Sequence, residues 1–214
     1  ATVGNPDQLV EWLAGKSTGK RVVLNPPSSN SQDADVQLDY VGSLENAATV
    51  ISRLHRGQKR LVYCDSRARV EKLTNLLRQS STDTYVSHSS LSAEERRRAE
   101  QAFSEARDCV IVATSALELG IDVGDLDRVI QIDAPSTVSS FLQRMGRTGR
   151  RSKTQRNCLF LATSDQALLQ AASLLSLWEQ GFVEPVEPPP KPYHLLAQQV
   201  LAMLLQERAN DMHS

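Results

Sequence analysis

The sequence predicts an α/β protein: a doubly wound, mostly parallel sheet, followed by a proline-rich linker and one further helix. Three observations carry this. Residues 109–113, 128–132 and 157–161 are short, nearly unbroken apolar runs, the pattern of strands covered on both faces. Amphipathic helical stretches separate these runs. Their alternation suits right-handed strand–helix–strand units, whose ligands sit at the carboxyl ends of the strands.

Taken in order, Leu9, Val10 and Leu13 mark an N-terminal helix, and residues 60–64 (RLVYC) read as a strand. Ser66 then opens a helix with Val70, Leu73, Leu76 and Leu77 on one face. Residues 84–87 form a shorter strand, followed by a capping box in which Ser92 is the N-cap and Glu95 stands three residues later. That helix runs through Arg96, Arg97 and Arg98 to Phe103. Further helices are expected at 137–145 and 165–178. Residues 184–192 (EPVEPPPKP) form a stiff, extended linker. Beyond it, Leu196, Val200, Met203 and Leu204 restore helical periodicity through Arg208. That helix either docks on the main domain or opens a further one.

The 214 residues suit one domain with appendages, and 40% hydrophobic with 23% charged residues is ordinary for a globular protein with a core. No apolar run approaches the roughly 20 residues that span a bilayer, so no membrane partner is expected. The N-terminal residues lack the pattern of a secretory signal and look like a cut through a longer protein. Cys64, Cys109 and Cys158 are scattered without metal-ligand spacing. That argues against a disulfide framework or a metal site and favours a cytoplasmic, reducing compartment. A formal net charge of −1 gives no global basic field, so any grip on nucleic acid must be local.

The strongest local pattern is Gln143-Arg144-Met145-Gly146-Arg147-Thr148-Gly149-Arg150. Arginines three apart place guanidinium groups near one face of a helix and its exit turn, and the glycines allow a close backbone approach. Such a fork binds phosphate oxygens bidentately and can grip a triphosphate. The competing reading is a solvated basic helix face. The octet resembles motif VI of superfamily 2 helicases. The resemblance makes Arg147 and Arg150 arginine fingers on ATP bound to another lobe, with Gln143 and Arg144 in support at the same interlobe site.

Residues 113–122 (ATSALELGID) put Thr114 and Ser115 at the mouth of a buried strand, where hydroxyls and turn N–H groups donate to a backbone phosphate. Read alone, the pair also suits a helix cap. Gly120 permits a sharp return, and Asp122 is a carboxylate suited to a ribose hydroxyl. This run resembles motif V, which makes Thr114 and Ser115 nucleic-acid contacts and puts Gly120 and Asp122 on the ATP side. Residues 61–67 (LVYCDSR) resemble motif IV, with Asp65 where asparagine is common. Ser66 and Arg67 stand at a helix N-terminus, either holding a phosphate or acting as an N-cap and a surface arginine. His88 and Ser89 match the loop that follows in the family. No second ligand stands near His88 in sequence, so a phosphate contact or a strand-end hydrogen bond suits it better than a metal.

The start, Ala1-Thr2-Val3-Gly4-Asn5-Pro6, resembles the region after helicase motif III. Gly15-Lys16-Ser17 is no Walker A loop, because Val10 stands where its first glycine is required. Gln143, the wording of residues 115–122 and the linker-plus-helix ending are similar to the large helicase-related (Lhr) proteins, 3′-to-5′ DNA translocases. The resemblance implies that residues 1–20 are the tail of the first motor lobe and that 21–183 are a second RecA-like lobe. Residues 184–192 are then the linker, and 193–214 a helix that begins a winged-helix domain. It further implies ATP and Mg²⁺ as cofactors, the Mg²⁺ held mainly by the first RecA-like lobe, and single-stranded DNA or RNA as partner. Residues 1–214 alone are expected to be inactive. Three rival readings remain open: an RNA helicase lobe, which typically has histidine at the position of Gln143, a non-unwinding translocase or nuclease-associated motor, and a non-catalytic nucleic-acid-binding or adaptor domain.

Overall fold

The computed structural model describes residues 3–24, 34–87, 94, 97, 101, 105–114, 126–149, 154–187 and 190–211. Among them, strands β1 (Asp35–Tyr40), β2 (Lys59–Tyr63), β3 (Thr84–Ser87), β4 (Cys109–Ala113), β5 (Arg128–Ile132) and β6 (Asn157–Ala162) form one sheet. The helices are α1 (Pro6–Ala14), α2 (Leu44–Arg53), α3 (Arg67–Gln79), α4 (Val138–Met145), α5 (Asp165–Glu179) and α6 (Tyr193–Asp211). Every pairing is parallel, in the order β1-β6-β5-β2-β4-β3. Glu94, Arg97, Gln101 and Glu105 also carry helical backbone, whereas the expected capping box at Ser92 and Glu95 lies outside the described residues.

Period-two alternation along the strands divides the core between the two faces of the sheet. Leu61, Tyr63, Ile111, Val129 and Phe160 face α4 and α5, where Phe141, Met145, Ala171 and Leu174 meet them. The Phe141 ring lies 5.4 Å from those of both Phe160 and Trp178, edge-on to the latter. Val62, Val110, Val112, Ile130 and Leu161 face the other way, against Leu44, Ala47 and Ile51 of α2 and Val70, Leu73 and Leu77 of α3. All residues of β4 and β6 are buried, which explains their near-continuous apolar composition.

Two elements, β1 and α2, escape the sequence reading. β1 is an edge strand whose polar Asp35, Gln37 and Asp39 interrupt its apolar residues, so no apolar run announces it. α2 carried a legible signal: Ser43 caps it by accepting from Asn46 N–H, and Leu44, Ala47, Ala48 and Ile51 make a buried stripe.

The chain divides into two compact units, Ala1–Glu184 and Pro185–Ser214. In the first, α1 buries none of its residues and leaves Trp12 70% and Leu13 74% exposed. The second contains α6, whose Leu196, Val200, Met203 and Leu204 are exposed. No described helix is long and apolar enough to cross a membrane.

Candidate nucleotide and nucleic-acid edges

The topology gives the sheet two candidate edges. After β2 the chain moves through α3 to β3 on one side; after β5 it moves through α4 to β6 on the other. The carboxyl ends of β2 and β5 therefore flank the switch point where such sheets bind ligands. A cavity of about 660 Å³ opens there, lined by Asp65, Gln131, Asp133, Ser140, Arg144 and Gln170 among others.

At this carboxyl edge the structure brings Ser66, Arg67 and Thr114 to the ends of adjacent strands. Tyr63 pairs with Ala113, and Cys64 N–H donates to Ala113 O at 2.9 Å. Ser66 is exposed and caps α3, its Oγ accepting from Arg69 N–H at 3.4 Å. Its own O–H is still able to donate outward. Arg67 is the first residue of α3 and is exposed; Thr114 is half-buried, its N–H bound to Ser87 O. His88, Ser89 and Ser115 lie outside the described residues.

Sequence reasoning missed a second group at this edge. Asp133 follows β5 with φ 58°, a left-handed backbone that aspartate tolerates better than most residues. Its carboxylate accepts from Thr163 N–H at 2.8 Å and Thr163 Oγ1 at 3.0 Å, and pairs with Arg69 at 2.6 Å. Arg69 also donates to Thr163 Oγ1 at 3.1 Å. The ends of β5, β6 and α3 are thereby locked together. Nothing local to Asp133 announces this, because its partners stand 30 and 64 residues away.

The basic octet leads to the opposite edge. Thr137 caps α4 by accepting from Ser140 N–H, and the helix then returns antiparallel to the strands. Its arginines are not equivalent. Arg144 is only 7% exposed; its Nη1 donates to Gln131 Oε1 at 2.6 Å, and its guanidinium stands 4.9 Å over the Tyr63 ring. Gln143 and Arg147 are half-buried. Thr148 is buried: Oγ1 donates to Met145 O at 2.9 Å and accepts from Asn157 N–H at 2.9 Å. Arg147 is therefore held beside the amino end of β6. Gly149 has φ 69°, and a Cβ there would stand 2.8 Å from Arg156 N, so glycine is required twice over. Arg150, Gly120 and Asp122 lie outside the described residues.

Other polar groups line the amino edge. Arg128 donates to Asp35 at 3.1 Å and to Gln58 Oε1 at 3.4 Å, and Lys59 N–H donates to Asp127 Oδ2 at 2.8 Å. The hydrogen bond from Gln37, with the Arg128 pair, outweighs burial and holds the Asp35 carboxyl below its usual range. A cavity of about 220 Å³ lies here between Asp35, Gln58, Arg128, Gly149 and Asn157. Among the described residues no cluster of three or more His, Cys, Asp or Glu could hold a metal ion. The three cysteines are buried, unpaired thiols; burial pushes Cys109 up to about 11 and Cys64 up to about 12, which leaves neither nucleophilic at neutral pH.

Comparison with known proteins adds an independent finding. The family described as helicase conserved C-terminal domain matches residues 43–152, just over half of the chain. The Lhr helicase/uracil glycosylase of Escherichia coli is 38% identical over 128 residues, 58% of this chain and 8% of that protein. The ATP-dependent helicase Lhr-Core of Saccharolobus solfataricus is 25% identical over 224 residues, 96% of this chain and 25% of its own length. Among solved structures, Mycobacterium smegmatis helicase Lhr bound to ssDNA and AMP-PNP superposes with a TM-score of 0.80 at 28% identity, covering 94% of this chain and 28% of that one. The chain thus spans a quarter or less of the length of these two curated relatives.

Proposed function

The chain belongs to the helicase C-terminal domain family, as an Lhr-like RecA-fold lobe, and from that membership we propose that it is the second motor lobe of a 3′-to-5′ DNA translocase or helicase. In this reading the amino edge faces ATP carried by a first lobe and the carboxyl edge grips the DNA backbone. Arg147 and Arg150 stabilise the charge that develops during phosphoryl transfer. Gln143 supports the same site, and Arg144 does so from behind, by tying α4 to β5 and β2. Gly120 and Asp122 complete the nucleotide side. Ser66, Arg67, His88, Ser89, Thr114 and Ser115 contact phosphates. Mg²⁺ is held mainly on the first lobe, to which residues 1–20 belong as its tail; residues 193–214 begin a winged-helix domain.

The single observation that carries this reading is the placement of Arg147. Thr148 and Gly149 fasten the octet to the amino end of β6, on the edge opposite Ser66, Arg67 and Thr114. One lobe can then read ATP and DNA without the sites competing. In the full-length protein, Arg147→Ala is expected to lower kcat by at least about a hundredfold with a smaller change in ATP affinity, and Arg147→Lys to rescue little. Steady-state ATPase assays with saturating single-stranded DNA measure this; a near-normal kcat would show that the arginine is only a solvated face.

A further inference from the structure

Two orphan N–H groups at the start of α4 receive an unusual partner. Helix N-termini leave donors without intrahelical acceptors. Thr137 satisfies Ser140, but Val138 N–H donates to Glu184 Oε1 at 2.7 Å and Ser139 N–H to Glu184 Oε2 at 2.9 Å. One carboxylate from 45 residues downstream thus closes the N-terminus and opposes the helix dipole. Burial raises the Glu184 pKa, but the N–H groups of Ser139 and Val138 outweigh it and hold the carboxyl below its usual range.

The route that brings Glu184 there is specific. At the end of α5, Phe182 N–H bonds to Leu177 O and Gly181 N–H to Trp178 O, with Gly181 at φ 76°. This is a Schellman turn, and it reverses the chain toward α4. The returning backbone is pinned by Gly4, whose N–H donates to Glu184 O at 3.0 Å. A Cβ on Gly4 would collide with Val183 O. The entering chain, the departing chain and the N-terminus of α4 therefore meet at one point, at the opposite end of the helix from Arg147.

We infer that Glu184 is a positioning residue for ATP hydrolysis: seated on the first two N–H groups of α4 and pinned by Gly4, it sets where Arg147 stands at the other end of that helix. This rests on the reading of Arg147 given above. α4 is a rod of 8 residues, about 12 Å long, so displacing its start displaces its end. A misplacement of about 1 Å at a catalytic group costs up to about a hundredfold in rate. Gly4 belongs to the stretch that arrives from the first lobe in the proposed organisation, so movement of that lobe acts on the arginine through this junction.

The test is a double-mutant cycle in the full-length protein, with Arg147→Ala as reference. Glu184→Ala is expected to lower kcat about tenfold while KM for ATP and affinity for single-stranded DNA stay within about twofold. Glu184→Gln keeps one acceptor but turns an amide donor toward the second N–H, and is expected to fall between. Gly4→Ala, which forces Val183 and Glu184 aside, should match Glu184→Ala. Combining Glu184→Ala with Gly4→Ala should be no worse than either alone, because both act through one junction, and adding Glu184→Ala to Arg147→Ala should cause no further loss. An unchanged kcat in both Glu184 variants, or multiplicative losses in either double variant, would overturn the inference. If Arg147→Ala itself leaves kcat intact, the reading of the motor lobe fails first, and the cycle distinguishes the two.

Discussion

The carboxyl and amino edges of this sheet are built by opposite strategies. At the carboxyl edge, Ser66, Arg67 and Thr114 take their places at strand and helix ends, and an Arg69–Asp133–Thr163 network holds the neighbouring ends together. Each of these six residues is exposed or half-buried. At the amino edge, buried Thr148 on β6 and the close approach of Gly149 to Arg156 hold one half-buried arginine in place. In the proposed reading, the contrast teaches that a surface which must release and regrip a polymer can be built from exposed termini. A group that must meet a developing charge within a fraction of an ångström needs a rigid mount.

The largest expected effect breaks the comparison most directly. If the amino edge serves ATP, Arg150→Ala, like Arg147→Ala, costs at least about a hundredfold in kcat of the full-length protein and leaves affinity for single-stranded DNA nearly intact. A filter-binding titration in which Arg150→Ala weakens DNA binding steeply would merge the two edges into one nucleic-acid surface.

A smaller effect probes the mount itself. Thr148→Val keeps the shape but strands Asn157 N–H, at a cost of about 1–3 kcal/mol in urea unfolding. Ser66→Ala removes an exposed cap and is expected to cost nearer 1 kcal/mol. Equal losses at the two positions would deny the difference in rigidity.

Smaller again is the electrostatic signature of the carboxyl edge. If Ser66, Arg67, His88, Ser89, Thr114 and Ser115 are the phosphate contacts, Arg67 is the reliably charged one among them, and the lobe should bind single strands with a log–log salt slope on the order of −1 to −2. Arg67→Ala should flatten it by less than about one unit, and Thr114→Ala should weaken binding without altering the slope. A steep slope would point to the arginines from 144 to 156 instead.

The smallest effect is in acid. Asp35 and Glu184 both have carboxyl pKa values held below the ordinary range. Their contribution to stability is therefore full above the unfolded-state values and is lost as pH falls through the lower folded-state ones. Asp35→Asn and Glu184→Gln should each flatten the dependence of the urea midpoint on pH below about 4.5. Asp35→Asn tests the amino edge alone, and an unchanged profile would remove its ion pair from the account.

How much of this was legible before folding follows from the range of the interactions. β4 and β5 were readable residue for residue, because a strand buried on both faces must be largely apolar wherever it occurs, and α3 and α5 because a cap and a stripe are local. The octet was conspicuous for the same reason: its arginines and glycines act within eight consecutive residues. The chain order of residues could not distinguish its arginines from one another. Arg144 turns inward because Gln131 and Tyr63 await it on two adjacent strands, and Tyr63 is 81 residues away in sequence. Likewise Glu184 read as the first residue of a linker, and only the turn at Gly181 and the close approach of Gly4 bring its carboxylate to α4. Local pattern determines which segments become strands and helices, because burial and capping are decided within a few residues. Which polar side chain meets which orphan donor is decided only when distant segments are packed together, since desolvation then leaves each buried donor a single available partner.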